Sequence, residues 1–526
     1  MPCLLRSVWY KLGSLLIILP LTGCGYVRLK RANFQTDFTI NRIPTQGDVY
    51  HDNYDLTFSL NFATSSKDSY GTGWLIDWKG DENKPSNTDP FLIYLATNLH
   101  VVDALRNPQD YEPYNKDSNG QDYGNRDITH FFALGKYTDP GLLGVETKEQ
   151  SAFISIQTSA IPKTAYTAND FVDYQYDSLT KQWNKKSDQK DQTQEQTVTG
   201  QSWSYKPAYA DFAVIEVPLF LDNVRDKQVF DYFVKPAIET YKKLGDTAQL
   251  FTEQNLKELE KETYIMLGYP VVESNIYAHI LGQGKELRVT QQVNNQPVKK
   301  NYVLQTITKE QHTLDITREI PTLIQNKSLS GDFVGSKLLS QEEQQQEHAF
   351  LGNLNQGIID FARLSNFNLQ YHNREYQQYG KGLALANTNF SGGSSGTLVL
   401  NQQKQISGVY FGVLEFGGTN GTNRESSIGV GQILRVKDDA QLQQHSHNNL
   451  LSQLGSSHNS ITYDIIFGNK DTKNYYAQFA KKHQTHLYSQ ISSSNQQELK
   501  YVDNDPNLKI KEEAAKSTVQ NLTVYS

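Results

Sequence analysis

Three short segments of this chain carry side chains suited to nucleophilic chemistry. Hydrolysis of an amide by a serine needs a base to take the hydroxyl proton, an acidic group to orient that base, and donors for the oxyanion. His100 closes the segment Ala96-Thr97-Asn98-Leu99-His100, where an apolar run gives way to Val101 and Val102. Asp211 stands at the head of Phe212-Ala213-Val214-Ile215-Glu216-Val217, and a carboxylate beside a buried run is costly unless it has a partner. Ser395 lies in Ser391-Gly392-Gly393-Ser394-Ser395-Gly396-Thr397, a Gly/Ser turn that feeds Leu398-Val399-Leu400; glycines there let backbone amides turn inward. Taken singly, each has a plainer reading: a structural histidine, a strand-initiating turn residue, a flexible loop. Their sequence order His, Asp, Ser, each beside an apolar strand, favours the chemical reading.

The elements that must position these groups are strands. Apolar residues come in short clusters separated by Asn, Gln, Ser, Asp and Tyr, a texture of strands and polar loops. Tyr54 to Phe62 alternates through Leu56, Phe58, Leu60 and Phe62; Gly71-Thr72-Gly73-Trp74-Leu75-Ile76 and Phe91 to Thr97 follow. Residues 106–127 and 176–204 read as polar surface insertions. A helix is predicted from Val234 or Pro236 to Leu244, with Ala237, Ile238, Tyr241 and Leu244 on one face and Gly245 as its stop. Two Gly-bounded runs, Ile406 to Leu414 and Ile428 to Val436, come after Ser395. A Gln/His/Asn/Ser linker spans 440–460, and a helical pattern lies near Tyr475 to Lys482.

The chain has 526 residues with 50 basic against 57 acidic ones. No basic run is long enough to suggest a nucleic-acid partner. At the N-terminus Arg6 and Lys11 precede the apolar stretch Leu12 to Leu21, the pattern of a signal peptide and too short to span a bilayer. Its end, Leu21-Thr22-Gly23-Cys24, resembles the bacterial lipobox, which implies acylation of Cys24. Cys3 would leave with the signal, so the folded part has no thiol for a disulfide. Metal catalysis finds no support: His445-x-His447 sits in low-complexity sequence, and Glu347-His348 lacks a second histidine at zincin spacing. No Gly-rich phosphate loop occurs, and no cofactor is expected.

The quoted segments resemble the trypsin-like, chymotrypsin-fold serine peptidases, especially the branch related to the HtrA proteases. Gly71-Thr72-Gly73-Trp74 is similar to that family's Gly-Ser-Gly-Phe, and Thr97-Asn98-Leu99-His100-Val101-Val102 to its Thr-Asn-Ala-His-Val-Val. Asp211-Phe212-Ala213-Val214 is similar to Asp-Ile-Ala-Val, and Gly268-Tyr269-Pro270 to a turn before the second barrel. Together with the lipobox and Asn/Gln/Lys/Tyr-rich loops, the chain resembles mycoplasma lipoproteins with a trypsin-like peptidase domain, some of which cleave immunoglobulin. The late segment Thr462 to Gly468 with Asn474-Tyr475-Tyr476 is similar to their tail.

The resemblance implies a mainly β fold of chymotrypsin/trypsin type, a double β-barrel with long insertions and a small helical C-terminal part. Residues 1–23 would be the signal peptide, 24–48 a lipidated tether and 49–235 the first barrel; 236–440 would hold a linking helix and the second barrel, and 441–526 a linker and C-terminal segment. It implies His100 as base, Asp211 as orienting acid and Ser395, rather than Ser394, as nucleophile, with the amides of Gly393 and Ser395 as oxyanion hole. Thr397 stands in place of the family's second glycine. Asn389, six residues before Ser395, and the strand bearing Gly408 and Tyr410 fall at the primary specificity pocket; neither brings a charge to select Arg or Lys. The implied function is a serine endopeptidase, lipid-anchored on the extracellular face of the membrane. Its expected substrate is an extracellular protein, immunoglobulin being one candidate, presented with a separate binding lipoprotein. The alternative is a catalytically inactive protease-fold lipoprotein that binds host proteins or acts as an adhesin. A solute-binding lipoprotein would alternate strands and helices in two lobes, a pattern not seen here.

Overall fold

The computed structural model describes residues 50–116, 127–138, 152–186, 197–269, 358–385, 393–417, 425–437 and 458–489, apart from 82, 84–87, 199–200, 203–204, 246–249, 260–261, 364–366 and 373. It also describes part of 44–47 and short strands within 292–297 and 322–327. The expected signal segment, Cys24, Asn389 and most of the expected 440–460 linker lie outside these residues.

The chain is mainly β, in two large, mostly antiparallel sheets beside two short two-stranded ones. The first has eleven strands. Its centre is Tyr205–Leu219, flanked by Phe91–Thr97 on one side and Lys163–Asn169 on the other. The run Pro207 to Leu219 is buried at every position, as a strand covered on both faces should be. Outward from Phe91–Thr97 come Asp68–Lys79, Thr57–Ala63, Phe131–Thr138 and Ala152–Gln157. The second sheet has seven strands in the order Thr322–Lys327, Thr263–Gly268, Leu398–Leu400, Ile406–Gly417, Glu425–Ile433, Lys381–Leu385 and Ile358–Asp360. Among the described residues neither sheet closes into a barrel by strand pairing.

The structure departs from the sequence pattern at three points. Tyr54 and Leu56 are not in a strand but in a short helix, His51–Leu56, because Asn53 turns that segment toward the second sheet and donates to the carbonyls of Ile265 and Leu398. The polar tract after residue 176 is partly structural: Tyr174–Asp177 and Gln182–Lys185 form a hairpin. Its Trp183 is buried and donates to the Ala362 carbonyl at 2.7 Å. The hairpin Asn368–Tyr371 and Arg374–Gln378 joins the first sheet rather than the second, and Ala208 and Tyr209 pair in parallel with Gln377 and Gln378.

The linking helix runs Lys235–Lys243, burying Ala237, Ile238, Thr240 and Tyr241. The C-terminal segment packs back on the molecule. Asp464 accepts from the Arg435 guanidinium at 2.7 Å, Tyr463 to Phe467 are buried, and the helix Tyr476–His483 lies on the first sheet, where the Tyr476 hydroxyl reaches Asp77.

Candidate active site

The strand Phe91–Thr97 ends where its ladder with Tyr205–Leu219 ends, at the pair Thr97 and Ala213. Past that pair Phe91–Thr97 stops, whereas the other strand runs on through Asp211 to Tyr205. Asn98 stays extended, and Leu99–Val102 forms one helical turn with Leu99, Val101 and Val102 buried, leaving His100 half-buried on the open side. On the other chain the register against Lys163–Asn169 slips between Tyr209 and Ala213. Such irregularities re-aim side chains, and this one encloses Asp211. Its carboxylate reaches the helical turn: Oδ2 lies 2.7 Å from His100 Nδ1, and Oδ1 accepts from the His100 amide at 3.1 Å. The Asn98 side chain donates to the Asp211 carbonyl at 2.7 Å, fixing the backbone that carries the acid. Asp211 is buried, and its two oxygens are spent on the residue they orient. With Nδ1 donating to the carboxylate, Nε2 is the ring nitrogen left to take a proton.

A second carboxylate lies near. Burial raises the pKa of Asp103, one turn on from His100, and the neighbouring Arg106, Lys67 and His100 charges and the His372 amide oppose that rise.

Ser395 enters from the second sheet, in the turn before Leu398–Leu400. Gly393 and Gly396 have φ of 92° and 96°, a region that side chains other than glycine rarely adopt. The two serines of the turn face opposite ways: Ser394 is fully buried, whereas Ser395 is partly exposed. Thr397 is also fully buried, and its amide and hydroxyl both hold the Ser394 carbonyl, at 3.1 and 2.6 Å. Among the described residues no acceptor is hydrogen-bonded to the amide of Gly393 or of Ser395.

The Ser395 turn and the His100 turn meet across the dipeptide Gly71-Thr72 of the Asp68–Lys79 strand. An added Cβ on Gly71 would lie 2.5 Å from Val101 Cγ1, so the residue after His100 rests on that glycine. The Thr72 amide donates to the Ser395 carbonyl at 2.8 Å, while the Thr72 carbonyl accepts from the Thr97 hydroxyl at 2.7 Å. Ser395 Oγ donates to the Phe411 carbonyl at 3.4 Å and is not hydrogen-bonded to His100; in unliganded sites such contacts tighten only with substrate.

Of the residues expected at the specificity pocket, Gly408 lies flat against the next strand, where a Cβ would meet the Gln432 carbonyl at 2.5 Å. Tyr410 is buried. Asn98 and Thr72 carry contacts that the sequence motifs did not single out. Their signal was a polar residue where an apolar one would be ordinary, Asn98 just before the helical turn and Thr72 between two glycines of a buried strand.

Residues 47–412 match the family described as Mycoplasma immunoglobulin protease. An uncharacterized lipoprotein of Mycoplasma genitalium is 50% identical over 493 residues, 93% of this chain and 95% of that protein. An uncharacterized lipoprotein of Mycoplasma pneumoniae is 42% identical over 501 residues, 89% and 86% of the two chains. The solved structure of the mycoplasma MIB and MIP proteins aligns over 80% of this chain and 60% of that one, with 15% identity and a TM-score of 0.40. A Glu endopeptidase structure aligns over 75% and 89%, with 13% identity and a TM-score of 0.25; both likenesses are remote. The match over residues 47–412 and the two lipoprotein relatives have one consequence: the chain belongs to the Mycoplasma immunoglobulin protease family.

Proposed function

We propose that this protein is a membrane-anchored serine endopeptidase with His100, Asp211 and Ser395 as its catalytic triad. The observation that carries the proposal is the bidentate grip of Asp211 on His100, with the carboxylate 2.7 Å from Nδ1 and 3.1 Å from the amide. In this scheme His100 Nε2 takes the Ser395 proton as Oγ attacks a peptide carbonyl. Asp211 holds the ring in one tautomer and stabilises the imidazolium. The oxyanion lies against the amides of Gly393 and Ser395. His100 then protonates the leaving amine, the chain beyond the scissile bond departs, and water hydrolyses the acyl ester by the reverse proton path.

Cys24 is the proposed lipid attachment point, placing the domain on the extracellular face; the lipoprotein relatives support this. The proposed substrates are extracellular proteins. Immunoglobulin is favoured by the family's description, with a separate binding lipoprotein as presenting partner. Asn389, Gly408 and Tyr410 bring no charge to the pocket, so no preference for Arg or Lys is expected.

The test is labelling of the full-length lipoprotein by a fluorophosphonate probe, alongside cleavage of immunoglobulin. Ser395→Ala should lose both, by on the order of 10⁴ to 10⁶ in turnover, and Ser394→Ala should keep both. Labelling that survives Ser395→Ala would sink the nucleophile assignment. A correctly folded wild-type protein that neither labels nor cuts would favour the binding-module reading, for which the present hydrogen bond of Ser395 to Phe411 rather than to His100 is the supporting observation.

A further inference from the structure

The geometry points to Thr72 as a positioning residue for the oxyanion site, acting through its buried side-chain hydroxyl. This rests on the proposed role of Ser395.

Three consecutive peptide planes run from Gly393 to Gly396, and each is pinned. The plane between Gly393 and Ser394 is held by its carbonyl, which accepts from Thr72 Oγ1 at 2.9 Å. The plane between Ser394 and Ser395 is held by Thr397, whose amide and hydroxyl both reach the Ser394 carbonyl. The plane between Ser395 and Gly396 is held at both ends: its carbonyl accepts from the Thr72 amide at 2.8 Å, and its N–H donates to the Tyr410 carbonyl at 2.9 Å. Peptide planarity puts each N–H opposite its own carbonyl. The Ser395 amide therefore points away from Thr397, in a direction fixed by the planes on either side. Two of the three planes are pinned by one residue, Thr72.

The hydroxyl proton of Thr72 has one orientation available. Oγ1 accepts from the Tyr269 amide at 3.0 Å, so its single proton goes to the Gly393 carbonyl. Thr72 itself is fully buried. The same hydroxyl thus joins the first sheet, Tyr269 just past the second-sheet strand Thr263–Gly268, and the turn that carries the nucleophile. Removing it frees the plane between Gly393 and Ser394, which joins the planes of the two amides proposed to receive the oxyanion and so sets their relative aim. A catalytic group displaced by an ångström loses on the order of 10²-fold in rate.

The experiment compares Thr72→Val, Thr72→Ala and Thr72→Ser in the full-length protein, using hydrolysis of p-nitrophenyl acetate and the rate of fluorophosphonate labelling, with thermal melts to establish folding. Valine keeps the branched shape and the backbone bond to Ser395 but loses the hydroxyl. The expected result is kcat lowered about ten- to a hundredfold in Val and Ala, KM within about twofold, and recovery to near wild type in Ser, which has the hydroxyl without the methyl. A purely structural role would instead move stability and leave kcat of the folded fraction unchanged. If Thr72→Val fails to fold, the Ala and Ser pair decides: equal kcat in both overturns the inference. Loss of activity in Ser395→Ala with wild-type kcat in folded Thr72→Val or Thr72→Ala overturns the role of Thr72 alone, whereas activity surviving Ser395→Ala overturns the triad beneath it.

Discussion

Gly396→Ala is the perturbation whose cost the structure fixes most closely. A Cβ at this position would lie 1.8 Å from the Thr72 carbonyl oxygen and 2.3 Å from Thr97 Oγ1. Contacts under 3.0 Å are essentially never seen, so the backbones must part by at least 1.2 Å. That movement takes the Thr72 amide bond to the Ser395 carbonyl from 2.8 Å to about 4 Å, outside hydrogen-bonding range. It also strains the Thr97 hydroxyl bond to Thr72. Each buried bond broken costs about 1–3 kcal/mol when a partner is left unpaired, and the φ of 96° adds about 1–2 kcal/mol for a residue with a Cβ. The sum for the one bond broken, about 2–5 kcal/mol, is a sizeable part of the roughly 5–15 kcal/mol that holds a typical domain together. Gly47 supplies the control: its φ is 98° and nothing lies within 4 Å of its added Cβ. Gly47→Ala should cost only the backbone term, and the loss of unfolded-chain entropy is common to both variants. Urea denaturation of both, with fluorophosphonate labelling, measures the difference. Equal destabilisation of the two, or full labelling of Gly396→Ala, would refute the claim that the Ser395 turn is locked on Thr72.

Asp211→Asn should keep the fold but lower turnover by on the order of 10⁴, because an amide lacks the charge that fixes the imidazole tautomer; p-nitrophenyl acetate hydrolysis at wild-type rate would contradict this. A second expectation concerns the C-terminal helix. Asp77 beneath it accepts from the Trp78 and Leu487 amides and the Tyr476 hydroxyl, yet burial pushes its carboxyl up from 3.8 to about 7. A raised carboxyl stabilises the fold fully below its unfolded pKa and loses that contribution as the pH rises toward 7, so Asp77→Asn should gain stability relative to wild type between pH 4 and pH 7 in urea melts. A difference independent of pH would count against it. His483 and His486 act in the other direction, since burial lowers both to about 4: their contribution is lost as the pH falls from 6.5 toward 4. His486→Gln, which removes the ring stacked on Trp78 at 3.8 Å, should therefore remove part of the acid sensitivity, seen as a smaller drop in urea midpoint from pH 7 to pH 5 than in wild type.

What the sequence made legible was local. The end of the apolar run at Ala96-Thr97 marked where His100 leaves regular pairing, because a strand's last buried residue is visible as the end of a hydrophobic run; Asp211, expected at the head of its strand, instead lies inside Tyr205–Leu219, which is buried from Pro207 onward, at a shift of register that no run of residue types announces. The linking helix was legible from Ala237, Ile238 and Tyr241 at helical spacing and from Gly245 beyond its end. Trp183 was not: one aromatic in a Lys/Gln/Asp tract gives no period, and it becomes part of the core through Tyr176, Tyr379 and the Ala362 carbonyl. The hairpin of Asn368–Tyr371 and Arg374–Gln378 was equally hidden, since its parallel pairing with Ala208 and Tyr209 is set by tertiary packing far along the chain. Thr72 looked like one member of a Gly-Thr-Gly-Trp strand, and its hydroxyl gains meaning only when Gly393 and Tyr269 arrive from elsewhere.

That arrival explains how a site split between two sheets is held without covalent help. The two cysteines stand at positions 3 and 24, so no disulfide can tie the sheets. The strand behind Ser395 belongs to the second sheet through Met266, Ile265, Val409 and Gly408, while the turn before it is bonded to the first sheet through both polar groups of Thr72 that can donate. His100 and Asp211 belong wholly to the first sheet. Parting the sheets would therefore break the Ser395 turn away from the residues it must meet, and would leave the Gly393 carbonyl, the Ser395 carbonyl and the Tyr269 amide without their partners. Those groups are expensive to leave unpaired once buried. The geometry of Ser395, the proposed nucleophile, and the docking of the two sheets are in this way one equilibrium, and a change that loosens the junction should lower activity before it unfolds either sheet.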